Sequence, residues 1–196
     1  MRTPNPEIER KIREKALALL LEREPEEIGM REIAAAAGIT ATTIYYYYAD
    51  KERLLEAVKK DCIALAEEGI LAKAREGLTG PGAISAALVA FRDWAFENPR
   101  IALLMMNRFR PNLEAGPEEM AGYYRSTYLL RDLIARGVAE GTAASGDPLL
   151  DASLCIAAVW GAIESILRYR TLPEYWDRGV EFTDEMIELC CARLAR

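Results

Sequence analysis

The densest run of chemically useful side chains lies between Thr40 and Lys51, TATTIYYYYADK. Four consecutive tyrosines, Tyr45 to Tyr48, cannot share one helix face, because a helix turns about 100° per residue. Ile44, Tyr47 and Tyr48 stand at i, i+3 and i+4 on one stripe, and Thr42, Tyr45 and Tyr46 stand on another. The first stripe is apolar enough to close a small core. The second is polar-tipped, with Ala41 and Thr43 nearby, and offers the hydroxyls and methyls that suit base edges, thymine methyls and phosphates in a major groove. The plainer alternative is that Tyr45 and Tyr46 only cover a neighbouring helix.

Other chemistries have less behind them. There is no histidine, which excludes Ser-His-Asp and Cys-His catalysis and histidine-ligated metals. The four cysteines, at 62, 155, 190 and 191, lack metal-ligand or CxxC spacing and read as reduced, buried thiols, with vicinal Cys190 and Cys191 the only redox alternative. Carboxylate or tyrosine chemistry, with Glu164 as the candidate, has no motif to support it. The expectation is therefore no catalytic residue, no metal and no cofactor. No continuous apolar run reaches the roughly 18 residues that span a bilayer. The N-terminus carries no signal-peptide core, so a cytosolic protein with no membrane partner is expected.

Charge is unevenly divided. The net charge is −6, yet residues 1–60 hold 11 basic and 11 acidic side chains, so all of the excess acidity lies beyond them. A neutral N-terminal segment can approach DNA where the remainder cannot.

The elements that must position the tyrosines are helices. Asn5-Pro6 reads as a cap and first-turn proline, opening a helix that turns Ile8, Ile12, Leu19 and Leu20 inward. A short helix from about Met30 to Ala36 follows. Gly38 suits a turn needing positive φ, Thr40 caps a second short helix, and Asp50 caps a long one bearing Leu54, Leu55, Val58, Cys62 and Leu65. Ala34, Gly38 and Ile44, with Ile33 and Ile39 beside them, have the spacing of a helix-turn-helix: a small residue at the crossing, a glycine in the turn, an apolar closure. Breakers at 79–82, 98–99, 110–117, 141–148 and 171–176 separate five further helices. Asp147-Pro148 repeats the cap signature, and Thr183 is placed as the cap of the last helix.

These residues carry a family resemblance. Residues 8–58 resemble the N-terminal domain of the TetR family of bacterial transcriptional repressors. Arg31, Ile33, Ala34, Ala37, Gly38, Ile39, Thr40, Ile44, Tyr45, Tyr47, Lys51 and Leu54 fall in register with the family pattern. Two positions depart from it: Gly29 where a capping Thr or Ser is usual, and Tyr48 where Phe is usual. The resemblance implies an all-α chain of about nine helices. A three-helix helix-turn-helix domain over 1–52 would be joined by a connecting helix to a ligand-binding and dimerisation domain over 53–196. It also implies roles. Thr40, Tyr45 and Lys51 would contact phosphate; Ala41, Thr42, Thr43 and Tyr46 would face bases; Arg31 would reach a base or phosphate. The implied function is a ligand-responsive regulator, a repressor, binding a palindromic double-stranded DNA operator as a homodimer. A helical protein-interaction adaptor is the alternative.

In the second domain, the segment 94–109 is similar to one found in several members of the family. Trp94, Met105, Phe109, Tyr124, Tyr128 and Trp160 offer adaptable apolar surface with polar tips, and Glu164 a hydrogen-bonding group, for a small, mostly hydrophobic effector. Ala158, Ala162 and Ser165 form a small-residue stripe that, with Met186 and Cys190 of the last helix, suits a four-helix interface between two subunits.

Overall fold

The computed structural model describes residues 5–74, 82–106, 116 and 122–195. Among them are nine α-helices and no strand, apart from two short 3-10 turns. In chain order the helices are α1 (Pro6–Leu20), α2 (Met30–Ala36), α3 (Ala41–Tyr47), α4 (Lys51–Ala74), α5 (Ala83–Glu97), α6 (Pro99–Met106), α7 (Arg125–Glu140), α8 (Pro148–Leu167) and α9 (Gly179–Leu194).

Two compact units divide at Ala64 and Leu65, twelve residues beyond the boundary of 52 read from the sequence. The reason is the buried face of α4. Leu54, Val58 and Cys62 recur at i, i+4 and i+8 and are almost wholly buried. Asp61 accepts a 2.6 Å ion-paired hydrogen bond from Arg13 of α1. Full burial of side chains such as Leu54 contributes roughly 1.5–3 kcal/mol each, enough to hold this length of α4 in the first unit.

Local signals in the first unit are met. The Asn5 side chain accepts from the Glu7 amide. Thr40 Oγ1 accepts from the Thr43 amide at 3.1 Å, and Asp50 Oδ1 from the Arg53 amide at 2.8 Å. α2 has Gly29 at its cap position and no side-chain cap bond. It packs on both α1 and α3, burying Ile33 and Ala34. At its end Gly38 takes φ +69°. The Gly38 amide donates to Ala35 O and the Ile39 amide to Ala34 O, a Schellman closure that satisfies two terminal carbonyls and reverses the chain into α3.

In the second unit α8 packs against α7, α9 and α5. The core includes Leu88, Phe91, Trp94, Leu130, Ile134, Val159, Ile163 and Ile187. Asn98 ends α5 by donating from Nδ2 to Trp94 O at 2.9 Å, and Pro99 opens α6. Asp147 caps α8, accepting from the Leu149 and Leu150 amides. Thr183 is not a cap. α9 begins at Gly179, where an added Cβ would stand 2.8 Å from Ile166 Cγ2, so the two helices approach closely there. Thr183 lies one turn inside, fully buried, its hydroxyl donating back to Gly179 O at 2.8 Å. Cys62, Cys155 and Cys190 are buried and Cys191 half-buried, all as thiols. Burial pushes the Cys62 thiol up to about 11. The hydrogen bond with Cys190, and burial, raise Cys155. Among the described residues no group of His, Cys, Asp or Glu could hold a metal.

An alanine at Gly38 meets only Lys11 Nζ, at 3.7 Å, so its cost is backbone strain. Gly38→Ala is expected to destabilise the first unit by about 1–2 kcal/mol, whereas Gly29→Ser, at φ −102° with open space around it, adds the missing cap and stabilises by a few tenths; denaturant midpoints read both. Asp151, at the start of α8, accepts from Ser145 Oγ at 2.6 Å and from Arg193 Nε of α9 at 2.9 Å. The Ser145 bond first, and then Arg193, hold its carboxyl below the usual range. A depressed folded-state pKa stabilises above the unfolded value of about 3.9 and loses that contribution as pH falls through the folded value. Asp151→Asn should therefore lower stability by about 1.5–3 kcal/mol at neutral pH, and the gap should close in acid.

Candidate nucleic-acid interface

The tyrosines sort as helix geometry requires. Ile44 is fully buried and Tyr48 is 6 % exposed, while Tyr45 and Tyr46 are 51 % and 53 % exposed. Tyr47 is intermediate; its ring meets Tyr46 edge-on at 5.3 Å, and its hydroxyl accepts from the Asn5 amide at 3.1 Å. The recognition-type helix is thus pinned to the start of α1 from its C-terminal turn. The extra hydroxyl of Tyr48 finds partners, accepting from Arg13 Nη1 and donating to Glu9 Oε1, both at 3.4 Å. Burial raises its pKa, with Arg13 opposing, so it stays a neutral phenol.

Thr42 is exposed and Ala41 and Thr43 are half-exposed on α3. The Thr40 and Thr43 hydroxyls are 2.8 Å apart, bonded to one another within the cap. Arg31 is exposed on the first turn of α2. Lys51, read as a phosphate contact, uses one donor on the Pro25 carbonyl, leaving two of its three ammonium donors for another acceptor. Thr40, Ala41, Thr42, Thr43, Tyr45, Tyr46, Arg31 and Lys51 therefore all lie in one unit, on α3 and the segments flanking it. The interactions the sequence did not reveal were the Asn5–Tyr47 tie, the Arg13–Tyr48 contact and the Lys51–Pro25 bond, because each joins residues at least 26 positions apart.

The second unit places its expected residues differently. Trp94 is core. Met105 and Trp160 are half-buried against that core, Trp160 stacked on Phe91 at 5.5 Å and 17°. Tyr124 is exposed, just before α7. Tyr128 carries Arg131 over its ring at 4.9 Å. Glu164 is held by Arg168 at 2.9 Å and Arg170 at 3.3 Å. Arg92, a further candidate polar contact, is buried and paired to Asp93 and Asp184. Phe109 lies outside the described residues. A groove of about 720 Å³ within this unit, lined by Phe96, Ile166, Trp176, Val180 and acidic residues of α9, includes none of these side chains.

The expected association stripe needs correction. Ala162 and Cys190 are buried inside the subunit; Ala158 and Met186 are half-buried against its own core, and Ser165 is half-buried with its hydroxyl donating to Gly161 O. Ala162→Arg would accordingly disrupt the subunit itself. Outward apolar side chains among the described residues include Leu149, Leu150 and Leu154 of α8 and Val180 and Leu189 of α9, the last 65 % exposed. By length and composition α8 is also apolar enough to cross a membrane, with mean hydropathy 1.6, though only 39 % of that stretch is buried in the subunit.

Comparison with known proteins agrees with this geometry. The model of the TetR-family bacterial regulatory proteins matches residues 12–58. None of the curated proteins matches the sequence. Three solved structures share the fold along nearly its whole length. A proposed TetR-family transcription regulator from Shewanella sp. PV-4 is 21 % identical, covers 100 % of both chains and has a TM-score of 0.71. A bacterial regulatory protein of that family from Rhodococcus RHA1 is 22 % identical over 96 % of this chain and 97 % of its own, with TM-score 0.67. A TetR-family transcription regulator from Marinobacter aquaeolei VT8 is 16 % identical over 96 % and 95 %, with TM-score 0.67. The family model thus falls on the helix-turn-helix segment of this chain, and the chain as a whole shares the fold of these solved structures.

Proposed function

We propose that the protein is a ligand-responsive repressor that binds a palindromic operator as a homodimer. The observation carrying the DNA reading is the division of α3: Ile44 and Tyr48 buried, Thr42, Tyr45 and Tyr46 outward. Two half-exposed tyrosine rings beside a threonine on one outward face suit a major groove. Thr40, Tyr45 and Lys51 fix register on the phosphate backbone, Ala41, Thr42, Thr43 and Tyr46 face bases, and Arg31 reaches a base or a phosphate.

The homodimer reading rests on α8 and α9. Leu150, Leu154 and Leu189 stand in water in the single subunit, and pairing the two helices with their copies would bury them in a four-helix interface. Two heads related by a two-fold axis then read two half-sites one helical turn apart or more. Release by an effector requires that it bind the DNA-free form more tightly; a coupling of about 1–3 kcal/mol suffices for partial derepression. The apolar candidates remain Met105, Trp160, Tyr124, Tyr128 and Phe109. With Arg92 and Glu164 both committed to ion pairs, the hydroxyls of Tyr124 and Tyr128 remain, and among the described residues one buried polar group with open capacity is Glu67. Its Oε1 is buried without a partner and Oε2 lies 3.4 Å from Arg125, which suits an apolar effector carrying one hydrogen-bond donor.

Band-shift titration against duplexes from the DNA upstream of its own coding sequence tests the DNA reading. Tyr46→Ala and Thr42→Ala should each weaken the chosen site by about 1–3 kcal/mol. Lys51→Ala should weaken all sequences alike and lower the salt slope by about one. Unchanged affinity in all three would sink the reading. The same assay carries the effector reading: apolar compounds that release wild type should act at a shifted concentration on Trp160→Ala. For the dimer, light scattering should give twice the subunit mass for wild type. Leu154→Arg, at a position 44 % exposed, should give a folded monomer that no longer holds the operator; a wild-type monomer at micromolar concentration refutes the assembly.

A further inference from the structure

The sequence from Ile33 to Ala49 contains no charged side chain and no carboxamide. All of α3 falls within it. Hydrogen-bond readout of single bases in the major groove draws on a small set of side chains: arginine or lysine for guanine, asparagine or glutamine for adenine, and a carboxylate for cytosine. α3 has none of them. What it turns outward are the methyls of Ala41 and Thr42, the rings of Tyr45 and Tyr46, and hydroxyls. Two of those hydroxyls, on Thr40 and Thr43, are bonded to each other within the cap. A hydroxyl both donates and accepts, so a single hydroxyl contact separates the four base pairs poorly. The feature of a base edge that an apolar side chain can recognise is the C5-methyl group of thymine.

Resting on the DNA reading above, we propose that α3 specifies its half-site through thymine methyl groups, with Thr42 as the specificity-determining side chain, and not through paired hydrogen bonds to guanine or adenine. Thr42 is suited to this role: it is exposed, it lies in the first turn of α3, and its Cβ carries a methyl beside the hydroxyl. The cations of this unit stand on other segments, among them Lys11 on α1, whose Nζ would lie 3.7 Å from a Cβ at Gly38, Arg31 on α2 and Lys51 on the first turn of α4, so a base contact from any of them belongs to the margin of the half-site.

The test uses the full chain. Duplexes of random sequence are enriched on the protein, and each thymine of the enriched site is replaced in turn by deoxyuridine, which removes only the C5-methyl. At one thymine or more per half-site, uracil should weaken binding about fourfold, the value of one buried methyl group. Thr42→Ser, which keeps the hydroxyl and loses the methyl, should weaken the thymine duplex by the same factor and lose nothing further on the uracil duplex. Thr42→Val, which keeps the methyls, should still tell thymine from uracil. An enriched site indifferent to uracil at every position overturns the methyl readout while leaving DNA binding intact. A Thr42→Ser protein that separates thymine from uracil as well as wild type overturns the assignment to Thr42. If no duplex is enriched at all, the DNA reading itself fails, and this inference fails with it.

Discussion

Helix geometry imposes one constraint on which the reading head depends: a seven-residue helix must bury Ile44 and hand Tyr48 to the core, so it must turn Thr42, Tyr45 and Tyr46 the other way. No choice of side chains on a single short helix could bury all four tyrosines. Everything around α3 serves that orientation. The Schellman closure at Gly38 sets its entry, the Thr40 cap starts it, and the Tyr47 hydroxyl bonded to the Asn5 amide holds its far end against α1. Isolated helices of this length are unstable in water, so α3 exists because its neighbours hold it.

The same face explains a chemical oddity of the head. A nucleic-acid-binding surface is usually expected to be basic, yet residues 1–60 are electrically neutral and α3 carries no charge. Charge and outward face are separated: the described cations of the first unit lie on α1, α2, α4 and the loop after α1, while α3 offers methyls, rings and hydroxyls. On the proposed reading, most backbone contacts would come from the flanks and from Tyr45, and the rest of the neutral helix would be left for the bases.

In the second unit the governing fact is that α8 is apolar around most of its circumference. One side supplies Cys155, Val159, Ala162 and Ile163 to the subunit's own core, and the other leaves Leu150 and Leu154 exposed. Close approach of α9 is secured by Gly179 against Ile166 and by the clamp of Asp151 between Ser145 and Arg193. A helix buried on one side and apolar on the other has surface to offer to a second copy.

The sequence alone determined the helices, their caps and the partition of the tyrosines, because these depend on near neighbours: Asn5, Thr40, Asp50 and Asp147 cap residues two or three positions away, and the i, i+3, i+4 rule separates Tyr45 and Tyr46 from Ile44 and Tyr48. It misplaced Thr183, since the start of α9 is set by Gly179 meeting Ile166 on another helix. It also set the domain boundary too early, because what holds α4 to the first unit includes Arg13, 48 positions from Asp61. Only the tertiary structure decided which side of α8 faces the core. A helix with an apolar majority on every face has no amphipathic direction for a sequence pattern to reveal. Its rotation is fixed by the neighbours it packs against, and these turned Ala162 inward and left Leu154 outside.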